Sequence, residues 1–85
     1  MLIKVLAAEG SLSSPSTVNT ATVVRLYNSH TAAIVITRKN SDGDVLGSFS
    51  AVNGQVVFVE KESTDTLTAA SQGSAQLVAK VAYAN

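Results

Sequence analysis

Along most of the chain apolar and polar residues alternate with a period near two, which is the pattern of half-buried strands rather than helices. Met1 to Ala8 opens with Leu2, Lys4 and Leu6 on one face and Ile3, Val5 and Ala7 on the other. Lys4 interrupts the apolar stretch and no basic run precedes it, so the segment reads as a strand and not as a signal peptide. Glu9 to Thr17 has no period, is rich in serine and contains the only proline, Pro15, which marks a surface loop. The strand pattern resumes at Ala21 to Asn28, where Val24 and Leu26 face inward and Arg25 lies outward beside Val23 and Tyr27. Asn28-Ser29-His30 makes a turn, and Thr31 to Lys39 follows as a strand with Ile34 and Ile36 alternating with Val35 and Thr37.

Turn chemistry then orders the middle of the chain. Asp42-Gly43 predicts a tight hairpin or a turn with a glycine bulge, returning as a strand over Val45 to Val52, with Phe49 as a core anchor and Gly47 as a bulge or close approach. Asn53-Gly54 has the same chemistry and predicts a second hairpin into Gln55 to Lys61, so that Thr31 to Lys61 forms a three-stranded meander. Glu62 to Thr68 reads as an irregular crossing or a short strand, Ala69 to Ser74 as a small-residue loop, and Ala75 to Tyr83 as the last strand. The expected fold is one all-β domain over residues 1–85, a small antiparallel β-sandwich or partly open barrel of six to seven strands.

Composition supports this and narrows the chemistry. About a quarter of the residues are Val, Thr or Ile, which favour strands. Six basic residues balance six acidic ones, so no electrostatic footprint for nucleic acid or an anionic membrane is expected. No apolar run reaches the roughly 20 residues of a membrane-spanning helix. Cysteine is absent, and in 85 residues burial and chain ordering nearly cancel, which favours completion by a partner or an oligomer.

Catalytic and metal chemistry find little support. His30, the only histidine, sits in a turn, and no Gly-x-Ser-x-Gly elbow frames any serine. Asp42 and Asp44 lack the spacing of a calcium loop and are explained by the hairpin. Glu60-Lys61-Glu62 reads as a solvated strand end with a weak ion pair. Tyr27, Phe49, Phe58 and Tyr83 are too scattered for a stacking platform and read as core. The expectation is a protein that is not an enzyme, with no catalytic, metal or cofactor site.

What stands out is apolar residues on both sides of several strands: Val23-Val24, Ala33 to Ile36, Val56 to Val59 and Leu77-Val78. Strict alternation cannot place all of these against one core, so some must meet another surface. Ile3, Val5, Val23, Tyr27, Val35, Val56 and Phe58 are the expected outer contact set, with the loop Ser11 to Thr17 as an arm toward a neighbour.

The order Ala21 to Asn28, Val35-Ile36-Thr37-Arg38-Lys39, Gly47-Ser48-Phe49, Gly54 to Lys61 and then Thr64-Asp65-Thr66-Leu67 resembles small virion proteins of tailed phages, notably those infecting marine cyanobacteria. Glu60-Lys61 followed closely by Thr64-Asp65-Thr66-Leu67 is the most distinctive part of the likeness. The resemblance implies a phage structural protein located in the virion, a β-sandwich decorating and cementing the capsid surface. The alternatives it leaves are a small tail or neck component or, from another class, a host-receptor or carbohydrate-binding module. It implies the major capsid protein or other virion proteins as partners, with neighbouring copies of the chain or a homo-oligomer, and neither nucleic acid nor membrane.

Overall fold

The computed structural model describes residues 2–84, which form an all-β chain with no α-helix among them. Its strands are β1 (Leu2–Val5), β2 (Gly10–Ser11), β3 (Val23–Asn28), β4 (Ile34–Lys39), β5 (Val45–Ala51), β6 (Val56–Glu60), β7 (Thr66–Ala69) and β8 (Gln76–Ala84), with a 3₁₀ turn at Gly73–Ala75. That is eight strands against the six to seven expected. The difference comes from the two-residue β2, which pairs Gly10 with Val78 and Ser11 with Leu77 inside the serine-rich stretch read as loop. The Met1 end of the first predicted strand lies outside the described residues.

Two antiparallel sheets make a β-sandwich-like pair. One has the order β1-β8-β3-β6, with β2 beside β8, and the other β5-β4-β7; the described strands do not close into a barrel. Between them, Val24 and Leu26 of β3 and Val78 of β8 meet Ile34 and Ile36 of β4, Ala51 of β5 and Leu67 of β7, all nearly free of solvent. Phe49 and Val59 pack against this core. The result is a slab of 33 × 31 × 19 Å.

The first hairpin forms as its residues predict. The Gly43 N–H donates to the Asn40 carbonyl at 3.0 Å, Gly43 has φ 88°, and the Asn40 side chain accepts from the Asp42 and Asp44 N–H groups. Beyond the turn the register jumps from Lys39–Val45 to Arg38–Gly47, leaving Leu46 as the extra residue of a bulge.

The expected meander is not formed. After β5 the chain leaves its sheet, and β6 pairs with β3 in the other one, Tyr27 opposite Val56 and Val23 opposite Glu60. A two-residue hairpin of the Asn-Gly kind needs positive φ at both central residues. Here only Gly54 has it, at 76°, while the Gln55 N–H closes the turn on the Val52 carbonyl at 3.0 Å. That is the pattern of a type II turn, which splays the flanking strands. Asn28 captures the redirected chain: its N–H donates to the Gln55 carbonyl and its carbonyl accepts from Gly54. The Asn28 side chain ties the sheets together as well, donating to the carbonyls of Ala32 and Ala51 and accepting from the His30 N–H and from Gln76 Nε2.

The segment Ser11 to Thr17 is anchored at both ends instead of reaching out as an arm. Leu12 is buried in the core and its N–H lies 3.0 Å from the Gln76 carbonyl, while Ser16 and Leu67 exchange two backbone hydrogen bonds on the edge of β7. The strap therefore crosses from one sheet to the other and closes that side of the slab. It continues into a left-handed turn in which Val18, Asn19 and Thr20 have φ of 53°, 57° and 56°.

Candidate interaction face

Because Val24, Leu26 and Val78 point into the core, their neighbours along β3 and β8 must point the other way. The register then places these outward residues in rows across four strands. One row is Val5, Val81, Val23 and Glu60; the next is Ala79, Arg25 and Phe58; the third is Leu77, Tyr27 and Val56; and Ile3 stands opposite Tyr83 at the β1 end. This is a second apolar cluster, outside the sandwich. Val23, Ala79 and Val81 are hidden at its centre by Ile3 and Phe58, whereas Val5, Val56 and Tyr83 at its margins are 64%, 40% and 50% exposed. The only charge in the middle of the face, Arg25, turns to Glu9 with Nη1 3.3 Å from Oε2.

Of the expected contact set, Ile3, Val5, Val23, Tyr27, Val56 and Phe58 are brought together on this face. Val35 is not: it is exposed on the outer side of the other sheet. The face also contains β8 residues that the sequence reading left out, namely Leu77, Ala79, Val81 and Tyr83. Their signal was present in the double-sided apolar run Leu77-Val78, which suits a central strand covered on both faces. Of the aromatics read as core, Phe49 packs on the main core, but Tyr27, Phe58 and Tyr83 lie on this outer face.

Charged chemistry sits elsewhere, at the end of the sandwich where β6 leads into β7. Lys61 and Asp65 are 4% and 3% exposed, so that of Glu60-Lys61-Glu62, expected as a solvated strand end, Glu60 and Glu62 are exposed but Lys61 between them is buried. Lys61 Nζ donates to the carbonyls of Ala21 at 2.6 Å and Glu62 at 3.2 Å. Asp65 accepts from Arg38 Nε at 2.7 Å and Nη2 at 2.6 Å, and from the Glu62 N–H at 3.1 Å. Burial pushes the Asp65 carboxyl up, but the Arg38 and Glu62 hydrogen bonds and the charges of Arg38 and Lys61 outweigh it and hold the group below its ordinary value. Burial is also the largest influence on Lys61 and lowers it; Asp65 opposes this and Arg38 adds to it. Every one of these side chains is engaged with the fold, so the cluster is a clamp between β4, β6 and β7.

His30 also serves locally, its Nδ1 accepting from the Ala32 N–H at 3.1 Å within the turn. Among the described residues there is no pocket and no group of three or more side chains able to hold a metal ion. The feature left for function is a surface, broad and mostly apolar, suited to meeting another macromolecule over an area. No protein-family model, curated protein or solved structure matches the chain.

Proposed function

We propose that the chain is a structural protein of a tailed-phage virion, a decoration protein that binds the outer capsid and cements its lattice through protein contacts rather than catalysis. The observation that carries this reading is the second apolar cluster on the outer face of the β1-β8-β3-β6 sheet, whose margin leaves Val5, Val56 and Tyr83 uncovered. A lone domain has no use for a hydrophobic surface on the solvent side of its sheet; a domain held on a repeating shell does. The likeness to small cyanophage virion proteins supplies the class of particle, and neutral overall charge suits contacts made by burial instead of long-range attraction.

The test is to find the protein in purified virions and compare its copy number with that of the major capsid protein. Abundance in proportion to the capsid lattice, and empty shells that lose heat resistance without it, are the expected results. A few copies per particle would assign it to the tail or neck. Absence from virions, together with glycan binding lost on Tyr27→Ala or Tyr83→Ala, would replace the reading with a recognition module. Particle function that survives His30→Ala separates both from an enzyme.

A further inference from the structure

The other sheet ends in an open strand. The Val35 carbonyl accepts from the Ala70 N–H at 2.9 Å, so the backbone polar groups of Val35 point toward β7. In an antiparallel ladder the N–H and C=O of one residue share a side, and that side alternates along the strand. Ile34, Ile36 and Arg38 therefore turn toward β5, where they stand opposite Ala51, Phe49 and Gly47. It follows that Ser48 and Ser50 of β5 aim their N–H and C=O groups off the sheet, where no described strand lies.

Natural edges are blunted by lysine, proline or strong irregularity. From Val45 to Val59 this chain has no charged residue and no proline. Its bulge lies at Leu46, at one end of β5, and the rest of the edge is regular. Leu46 and Val52, at the two ends of this edge, are 48% and 53% exposed.

We propose that β5 pairs antiparallel with β5 of a second copy of the chain, about a twofold axis at Phe49. Ser48 then faces Ser50 of the copy and Ser50 faces its Ser48, each pair exchanging two backbone hydrogen bonds through the groups that point off the sheet. The regular stretch that pairs, Gly47 to Ala51 of each copy, has no charged residue, so no like charges meet. Two three-stranded sheets become one of six, a size that sheets commonly reach. The pairing uses a different surface from the outer apolar face and does not depend on the virion reading. A strand-to-strand contact buries less than a standard interface, so the association is weak and concentration-dependent.

Sedimentation equilibrium of the full chain should show a reversible monomer–dimer equilibrium. Ser48→Pro removes an outward N–H and no bond to β4, so it should weaken the dimer about tenfold or more with the far-ultraviolet spectrum unchanged. The chain has no cysteine, which makes register directly testable. With a short bifunctional maleimide crosslinker, Ser48→Cys mixed with Ser50→Cys should give heterodimers in excess of either homodimer, and this measurement decides the matter if the proline variant does not fold. A chain that stays monomeric at millimolar concentration overturns the pairing and leaves the virion reading to its own test. So does a dimer indifferent to Ser48→Pro but abolished by Val56→Lys, or one whose cysteine variants crosslink without preference.

Discussion

Asn28 concentrates more of the fold's polar bookkeeping than any other residue. Its amide has two donor hydrogens and an oxygen that accepts two bonds, and all are used: Ala32 and Ala51 carbonyls on one side, the His30 N–H and Gln76 Nε2 on the other. Removing a buried partner leaves the opposing groups dry and unsatisfied, at about 1–3 kcal/mol for each such group. Asn28→Ala should therefore lose about 3 kcal/mol or more in urea denaturation, well beyond an ordinary surface change. A loss under about 0.5 kcal/mol would mean water replaces the network. The left-handed turn makes the opposite prediction. Thr20 is exposed at φ 56°, a conformation that costs a side-chain-bearing residue roughly 1–2 kcal/mol and glycine almost nothing. Thr20→Gly should raise the unfolding free energy by about 0.5–1 kcal/mol once glycine's unfolded-state entropy is subtracted, read from urea denaturation.

At the scale of elements, the clamp of Arg38, Lys61 and Asp65 fixes how β4, β6 and β7 end, and it makes stability depend on pH in a definite direction. The folded Asp65 carboxyl lies below its unfolded value of about 3.9, so its contribution is complete above that pH and is lost as pH falls through the lower folded value. Lys61 is also lowered when folded. Between that value and about 10.4 the unfolded chain binds more protons, so its contribution rises with pH. Neither group costs stability on the alkaline side. Melting temperature should fall on acidification below about pH 4, and Asp65→Asn should lower it at neutrality while flattening the acid limb. An unchanged acid limb in that variant would show that another carboxylate governs it. Gly73 makes a second element-level contact: a Cβ there would lie 2.0 Å from the Leu12 carbonyl oxygen, which is held backbone. Gly73→Ala should push the strap off the 3₁₀ turn and destabilise by about 1–3 kcal/mol, read by thermal melting. The same elements show what the amino-acid order made legible. The strands β3, β4, β5 and β8 follow from period-two alternation, and the β4–β5 bulged turn from Asp42-Gly43. The destination of β6 does not, because Asn-Gly suits both a hairpin and a type II crossing, and the choice rests on Asn28, a distant residue that receives the turn. Lys61 and Asp65 were hidden for a similar reason: burial of a charge depends on the cage of carbonyls and the guanidinium around it, none of which is local.

At the scale of the whole molecule, the slab separates what holds it together from what it offers to a neighbour. The cementing core is one side of the β1-β8-β3-β6 sheet and the candidate contact surface is the other, so alternation along a single strand assigns adjacent residues to different tasks. This is why Ile3, Val5, Val23, Tyr27, Val56 and Phe58 were legible as a group, while Val35, on the other sheet, was grouped with them only because its own strand is apolar on both sides. The division predicts a double dissociation. Leu26 is fully buried between the sheets, so Leu26→Ala should cost about 2–5 kcal/mol, with partner binding lost only to the extent that the chain unfolds. Val5 and Val56 lie at opposite margins of the outer face and are 64% and 40% exposed, so Val5→Lys combined with Val56→Lys should leave the unfolding free energy within about 0.5 kcal/mol per site. If the proposed capsid role holds, the same double variant, which places two ammonium groups where an apolar contact has to dry, should abolish attachment to capsid shells in a co-sedimentation assay. If attachment survives in this variant while the chain remains folded, the outer face is not the surface that meets the particle. In that case the contact must be sought on the sheet that carries Val35, Val45 and Val52, whose exposed side chains form the other apolar margin of the slab.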